Sequence, residues 1–308
     1  VGGGMTSIEW TDETWNPTTG CTKISPGCKN CYAERLTERF GRRFEDLVLH
    51  PDRLEKPLHW RKPRRVFVNS MSDLFHEDVP DEFIMAVLGI AAASPEHTFQ
   101  ILTKRADRLP RFFSSIQTDD DGPGWEHVGH RVLTLLSEAA GVLRKDEDDH
   151  ERAYDALAER TPADLPWPLP NVWLGVSVED QARADERIPL LLQTPAAVRF
   201  ISAEPLLEAV RLPLECPVCG YTRLDVATHM DHSLCEGPGP GIDWVIVGGE
   251  SGPRARPCNV EWIRSIVRQC RAAQVPCFVK QDSGPRPGMQ GRIPDDLWIK
   301  EFPNAAGS

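Results

Sequence analysis

The chain has 308 residues, 40% of them hydrophobic, and a formal net charge of −11. That length can bury one large core and allows one or two domains. The negative charge excludes a protein that coats nucleic acid through a global positive field, while leaving room for a local basic site. No apolar run approaches the roughly 18 residues of a membrane helix. No secretory leader follows Met5, so the expected location is cytoplasmic, away from any membrane. Val1 to Gly4 precede that methionine and are read as an appended leader.

Short apolar, β-branched runs alternate with amphipathic stretches, the pattern of parallel strands joined by crossover helices. In chain order the predicted strands are Ile8–Trp10, Val66–Asn69, Phe99–Leu102, Val172–Val176, Arg199–Ser202, Trp244–Val247 and Cys277–Lys280. Helices are predicted over Cys31–Phe40, Asp81–Ala93, Asp107–Ser115, Glu179–Leu192 and Val260–Ala273, with Asp81 and Asn259 as N-caps. The expected fold class is α/β, a partial or complete (β/α) TIM-like barrel over residues 5–308. Two insertions interrupt the repeat. Residues 117–170 are acidic, contain a predicted helix near Val128–Leu143 and are expected to be a solvated surface excursion; residues 214–241 are rich in cysteine and histidine.

Polar residues follow the predicted strands: Asn69, Ser70, Ser72 and Asp73; Thr103 and Lys104; Ser177, Glu179 and Asp180; Ser202 and Glu204; Glu250 and Ser251; Lys280 and Gln281. In a (β/α) barrel such positions meet at the C-terminal mouth, where the chemistry sits. Helix capping accounts for some, such as Asp180, but poorly for Lys104, Glu204 and Lys280. Glu204 and Lys280 are therefore expected to contact a ribose or a substrate.

The most informative segment runs from Trp15 to Tyr32 and places Cys21, Cys28 and Cys31 at Cys-x6-Cys-x2-Cys spacing on a loop punctuated by Gly and Pro that enters a helix. Three thiolates can hold three irons of a 4Fe-4S cubane and leave the fourth iron open. S-adenosylmethionine can chelate such an iron through its amino and carboxylate groups, and an electron from the cluster can then break a carbon–sulfur bond to give a 5'-deoxyadenosyl radical. The competing reading is a closed structural zinc site completed by Asp73 or His76. The absence of an obvious fourth ligand in the loop favours the cluster.

Several motifs carry a family resemblance. They are Ile8-Glu9-Trp10-Thr11 with Thr14-Trp15-Asn16-Pro17, the Gly20-to-Tyr32 loop, Ser202-Ala203-Glu204-Pro205-Leu206, Trp244 to Gly252, and Phe278-Val279-Lys280-Gln281. From Met5 to Gln281 they resemble the phage and mobile-element three-cysteine-motif family, which is itself similar to radical S-adenosylmethionine proteins. The resemblance implies a cluster, S-adenosylmethionine and a barrel of the radical SAM type. Here the first cysteine spacing is six residues rather than three, and Gly248-Gly249-Glu250 follows a late strand. Ser72 and Asp73, after the strand that follows the cysteine helix, therefore compete with Glu250 for the cofactor's amino group.

A second group, Cys216, Cys219, His229, His232 and Cys235, has the spacing of a zinc-ribbon-like insertion. Cys216, Cys219, His232 and Cys235 are the first choice of ligands, with His229 as the alternative. A small insertion without its own core is naturally stapled by metal. Arg53, Lys56, Arg61, Lys62, Arg64 and Arg65, interleaved with His59 and Trp60, form the one basic stretch.

Two functional readings follow. The first is an enzyme that reductively cleaves S-adenosylmethionine to modify or repair a substrate, with nucleic acid as the expected substrate class and with an electron donor and a partner protein as further expected associates. The second is a non-catalytic iron–sulfur and zinc protein that binds nucleic acid.

Overall fold

Predominantly apolar runs become strands covered on both faces. Val172–Ser177 and Val198–Ala203 are buried at every position, as parallel strands between two layers of side chains require. The computed structural model describes residues 8–116, 126–143, 147–162, 164–214 and 241–303. The strands are β1 (Glu13–Trp15), β2 (Thr18–Thr19), β3 (Val48–Leu49), β4 (Arg65–Val68), β5 (Thr98–Thr103), β6 (Val172–Ser177), β7 (Val198–Ala203), β8 (Trp244–Gly248) and β9 (Cys277–Gln281). The helices are α1 (Tyr32–Arg39), α2 (Asp81–Ala92), α3 (Arg108–Ser115), α4 (Glu126–Leu143), α5 (Glu147–Ala158), α6 (Gln181–Leu192) and α7 (Val260–Ala272). The fold is mixed α/β, with a seven-stranded parallel sheet in the order β1-β4-β5-β6-β7-β8-β9. Among the described residues no helix is long and apolar enough to cross a membrane.

The described residues divide into two units: 11–22 with 33–173, and 8–10, 23–32 and 174–303. In the first, β4 pairs in parallel with β1 (Trp15 opposite Val68) and with β5 (Val68 opposite Ile101), while β2 and β3 form a separate antiparallel pair. Trp15 is fully buried, meets the Phe99 ring edge-on at 5.7 Å and donates its indole N–H to Arg53 O at 2.8 Å. The expected strand at Ile8–Trp10 is a turn instead, and the first strand is β1. Trp10 is buried against Phe200 and Trp244, so its apolar signal reports packing rather than strand pairing.

The acidic insertion is also less solvated than its composition suggests. Leu135, Leu136, Ala139 and Ala140 of α4 are buried, and α4 lies so close to α2 that a Cβ at Gly89 would stand 2.2 Å from Leu135 O. The acidic side chains give the composition its character, whereas the small and apolar face sets the packing. At the start of α2 the N-cap is Pro80 rather than Asp81, whose carboxylate takes the Arg108 guanidinium.

In the second unit β8 pairs in parallel with β7 (Phe200 opposite Trp244) and with β9 (Ile246 opposite Phe278), with a register shift between Val247 and Gly248. Asp180 and Asn259 cap α6 and α7 by accepting from Arg183 N at 2.9 Å and Glu261 N at 3.0 Å. Gly175 gives the Phe200 ring its space, since a Cβ there would lie 2.5 Å from that ring.

Candidate functional site

Cys21 is placed by the glycine before it. Gly20 has φ +92°, bridges to Ser72, and would bring a Cβ within 2.2 Å of Asp46 O, so glycine alone fits. Cys21 N donates to Phe44 O at 2.8 Å, and its sulfur lies 3.4 Å from Arg105 Nη1. Arg105 Nη2 donates to Thr22 O at 3.2 Å and Thr22 Oγ1 at 2.7 Å, and the Thr22 hydroxyl also meets His76 Nε2 at 3.0 Å. Asp73 stands 3.5 Å from Arg105 and is itself held by Phe75 N, Thr103 Oγ1 and Lys104 N at 2.7–3.0 Å. Burial pushes the Arg105 pKa down, but the Asp73 and Cys21 charges outweigh it and hold it above the usual value. Burial lowers the His76 pKa, and the Arg105 charge adds to that effect. Ser72 Oγ donates to Thr18 O at 3.0 Å.

Arg105 is the functional candidate that the strand-end pattern misses. That pattern stops at Thr103 and Lys104, one position short, and reading one residue further beyond β5 finds it.

Cys28 and Cys31 are anchored through two carboxylates of the second unit. Pro26–Cys28 forms a single 3-10 turn, in which Gly27 N donates to Glu179 Oε1 at 3.1 Å. Glu179 is fully buried and also accepts from Arg187 Nη1 at 3.0 Å. Asn30 Nδ2 donates to Glu250 Oε2 at 2.8 Å and to Arg254 O at 2.9 Å. Arg256 closes the arrangement. Its N, Nε and Nη2 donate to the Glu250 carboxylate at 2.6–2.9 Å, and its Nη1 donates to Pro26 O at 2.8 Å. Burial alone pushes the Glu250 carboxyl up, yet the hydrogen bonds from Arg256 and Asn30 hold it below its usual value. Glu250 thus ties the cysteine loop to the end of β8.

Two further strand-end residues, Glu204 and Lys280, meet beside Gly248. Lys280 Nζ lies 3.1 Å from Glu204 Oε2, whereas Glu204 Oε1 is buried with no hydrogen-bond partner among the described residues. A Cβ at Gly248 would come within 2.7 Å of that oxygen, so this glycine keeps the space beside Glu204 open. Gly249 has a packing reason of its own: a Cβ there would lie 2.4 Å from Ser283 N.

Three of the six basic residues of the stretch pair with carboxylates close by. Arg64 and Lys56 approach Glu13 at 2.9 and 3.8 Å, and Arg65 pairs with Asp12 at 3.0 Å. Arg61 and Lys62 remain exposed. Cys216, Cys219, His229, His232 and Cys235 lie outside the described residues. Among the described residues, no group of three or more His, Cys, Asp or Glu side chains is arranged to hold a metal ion.

The donor chemistry fits an iron–sulfur cluster all the same. Cys21, Cys28 and Cys31 form no disulfide among the described residues and are part-exposed, while the other described cysteines, Cys258, Cys270 and Cys277, are buried. Soft thiolates reachable from solvent are what such a cluster needs. The unpartnered Glu204 oxygen fits S-adenosylmethionine, whose amino and ribose groups are donors, because a buried acceptor left unmade costs about 1–3 kcal/mol.

A parallel α/β protein with a thiol-bearing loop tied down by buried carboxylates is the class that fold and site define. The chain belongs to the family described as Protein of unknown function (DUF5131), which it matches over residues 5–293. No curated protein and no solved structure matches it.

Proposed function

We propose that this protein is a 4Fe-4S protein of the radical SAM type, in which Cys21, Cys28 and Cys31 are the ligands and S-adenosylmethionine is the cofactor. The observation that carries the reading is the contrast among the described cysteines: the three with cluster spacing are part-exposed, and the other three are buried. The (β/α) barrel of that enzyme class is part of the proposal, and the parallel sheet supports it. When bound, cluster and cofactor together supply reductive cleavage of a carbon–sulfur bond.

The chain's own residues bind and orient. Glu179 and Glu250 fix the backbone and side chain of the loop at Gly27 and Asn30. Glu204 offers its free oxygen to a donor on the cofactor, Lys280 holds that carboxylate in place, and Gly248 leaves the approach open. A zinc-binding insertion over residues 214–241 is part of the proposal on its cysteine and histidine spacing, with Cys216, Cys219, Cys235 and His232 as ligands and His229 as the alternative to His232. Nucleic acid is the proposed substrate class, supported by exposed Arg61 and Lys62 and by the guanidinium of Arg64 at 5.3 Å over the Trp60 ring. An electron donor and a cytoplasmic setting complete the reading.

The test is anaerobic reconstitution with iron and sulfide, followed by dithionite and S-adenosylmethionine. Formation of 5'-deoxyadenosine by wild type, lost together with bound iron in Cys28→Ala, supports the enzyme. An intact cluster that yields no 5'-deoxyadenosine favours a non-catalytic iron–sulfur protein. A single tetrahedral zinc in place of the cluster overturns the reading.

A further inference from the structure

We infer that Arg105 is a positioning residue that sets the reduction potential of the cluster at its Cys21 corner, with Asp73 as the opposing charge. This rests on the iron–sulfur reading above, and Arg105, Asp73, Thr103, Thr22 and Cys21 all belong to the first unit.

The guanidinium is aimed rather than merely accommodated. The side chains of Arg105 and Asp73 are only 6% and 8% exposed. Arg105 Nη1 faces both Cys21 Sγ at 3.4 Å and Asp73 Oδ2 at 3.5 Å, while Nη2 is held by the carbonyl and hydroxyl of Thr22. Arg105 N is fixed by Thr103 Oγ1 at 2.9 Å, and that hydroxyl donates to Asp73 Oδ1 at 2.7 Å. Backbone, fork and counter-charge are thus each tied to a different point. Arg105 Nε is nevertheless buried without a partner among the described residues. A guanidinium serving packing alone has no reason to leave a donor unmade while turning its Nη groups to the Cys21-Thr22 dipeptide.

The consequence is electrostatic. When a cluster takes up one electron from an added reductant, negative charge rises on its ligand sulfurs, and no bond to the protein need form or break. A cation that donates N–H to one of those sulfurs stabilises the reduced state more than the oxidised state, which raises the potential. Burial weakens screening of that charge. Asp73 acts in the opposite sense and limits the effect.

The experiment compares full-length wild type, Arg105→Gln, Arg105→Lys and Asp73→Asn after anaerobic reconstitution. Iron and sulfide are measured first, and midpoint potentials then follow from redox titration read by electron paramagnetic resonance. At equal iron content the potential of R105Q should fall, that of R105K should fall less, and that of D73N should rise. Coincident potentials at full iron content would overturn the inference. If R105Q and R105K lose iron, D73N decides alone: an upward shift supports the inference, and an unchanged or lower potential overturns it. Wild type that takes up no cluster removes the underlying reading instead, and the iron assay reveals this before any potential is measured.

Discussion

Glu179 and Arg187 form an ion pair at 3.0 Å in which both side chains are almost wholly shielded from solvent, at 0% and 3% exposure. Glu179 uses its other oxygen to hold Gly27 N, so one carboxylate serves both the interior of the second unit and the cysteine loop. Removing a single partner of a buried pair leaves an uncompensated charge, which costs about 3–5 kcal/mol. Arg187→Met should lower the urea-unfolding free energy by about that amount. The double variant E179L/R187M should recover much of the loss, because no buried charge remains. It should nevertheless take up less iron than wild type, because Gly27 N has lost its Glu179 acceptor. A double variant as unstable as R187M would show that the stranded charge is not the cause.

Gly20 and Gly41 both have positive φ, +92° and +72°, but of the two Gly20 alone is crowded, since among the described residues nothing lies within 4 Å of a Cβ at Gly41. Gly41→Ala should lose only the backbone preference, about 1–2 kcal/mol. Gly20→Ala must also displace Asp46 O, so its loss should be larger and should extend to the placement of Cys21. Chemical denaturation of the two variants checks the order, and equal losses would mean that the crowding relaxes at little cost.

His97 is buried, and its imidazole meets the Trp60 and Phe99 rings at 5.4 and 6.3 Å. Burial pushes its pKa below the usual 6.5, although Glu96 and the Pro57 carbonyl push the other way. The folded protein therefore holds His97 neutral, while the unfolded chain takes up a proton as pH falls past 6.5. The stability from this group is complete above that value and is lost as pH drops toward the folded pKa. His97→Gln should flatten the loss of stability measured between about pH 7.5 and about pH 5.5, leaving the part due to His76 and His50, which burial lowers in the same way. An unchanged slope in H97Q would count against a neutral buried imidazole.

The six described cysteines should divide cleanly in alkylation. Cys258 is pushed up to about 12 by burial, with the Asp282 charge adding to it. Cys277 lies well above its usual range through its hydrogen bond with Cys270 and through burial. Thiolates alone react, so iodoacetamide at about pH 8 should label Cys21, Cys28 and Cys31 in the folded, iron-free protein and spare Cys258, Cys270 and Cys277 until urea is added. Peptide mapping by mass spectrometry reads this directly, and early labelling of Cys258 would contradict its burial.

Much of this molecule is written at short range. The alternation of apolar runs with amphipathic stretches gives the parallel α/β class and all but the first strand of the main sheet, because burial on both faces favours predominantly apolar residues. Asp180 and Asn259 declare their helix starts, since a cap is satisfied within three residues. The cysteine spacing likewise stands in the sequence alone. What the tertiary structure decided is which distant partner each charged group meets. Glu13 neutralises Arg64 because β1 and β4 pair in parallel with Glu13 opposite Val66, a register that no local pattern encodes. Arg105 turns to Cys21 across 84 positions of chain, and Glu250 is occupied by Arg256 and Asn30 instead of standing open. Charges attract without directional memory in sequence, so their pairing waits on the packing that brings them into reach.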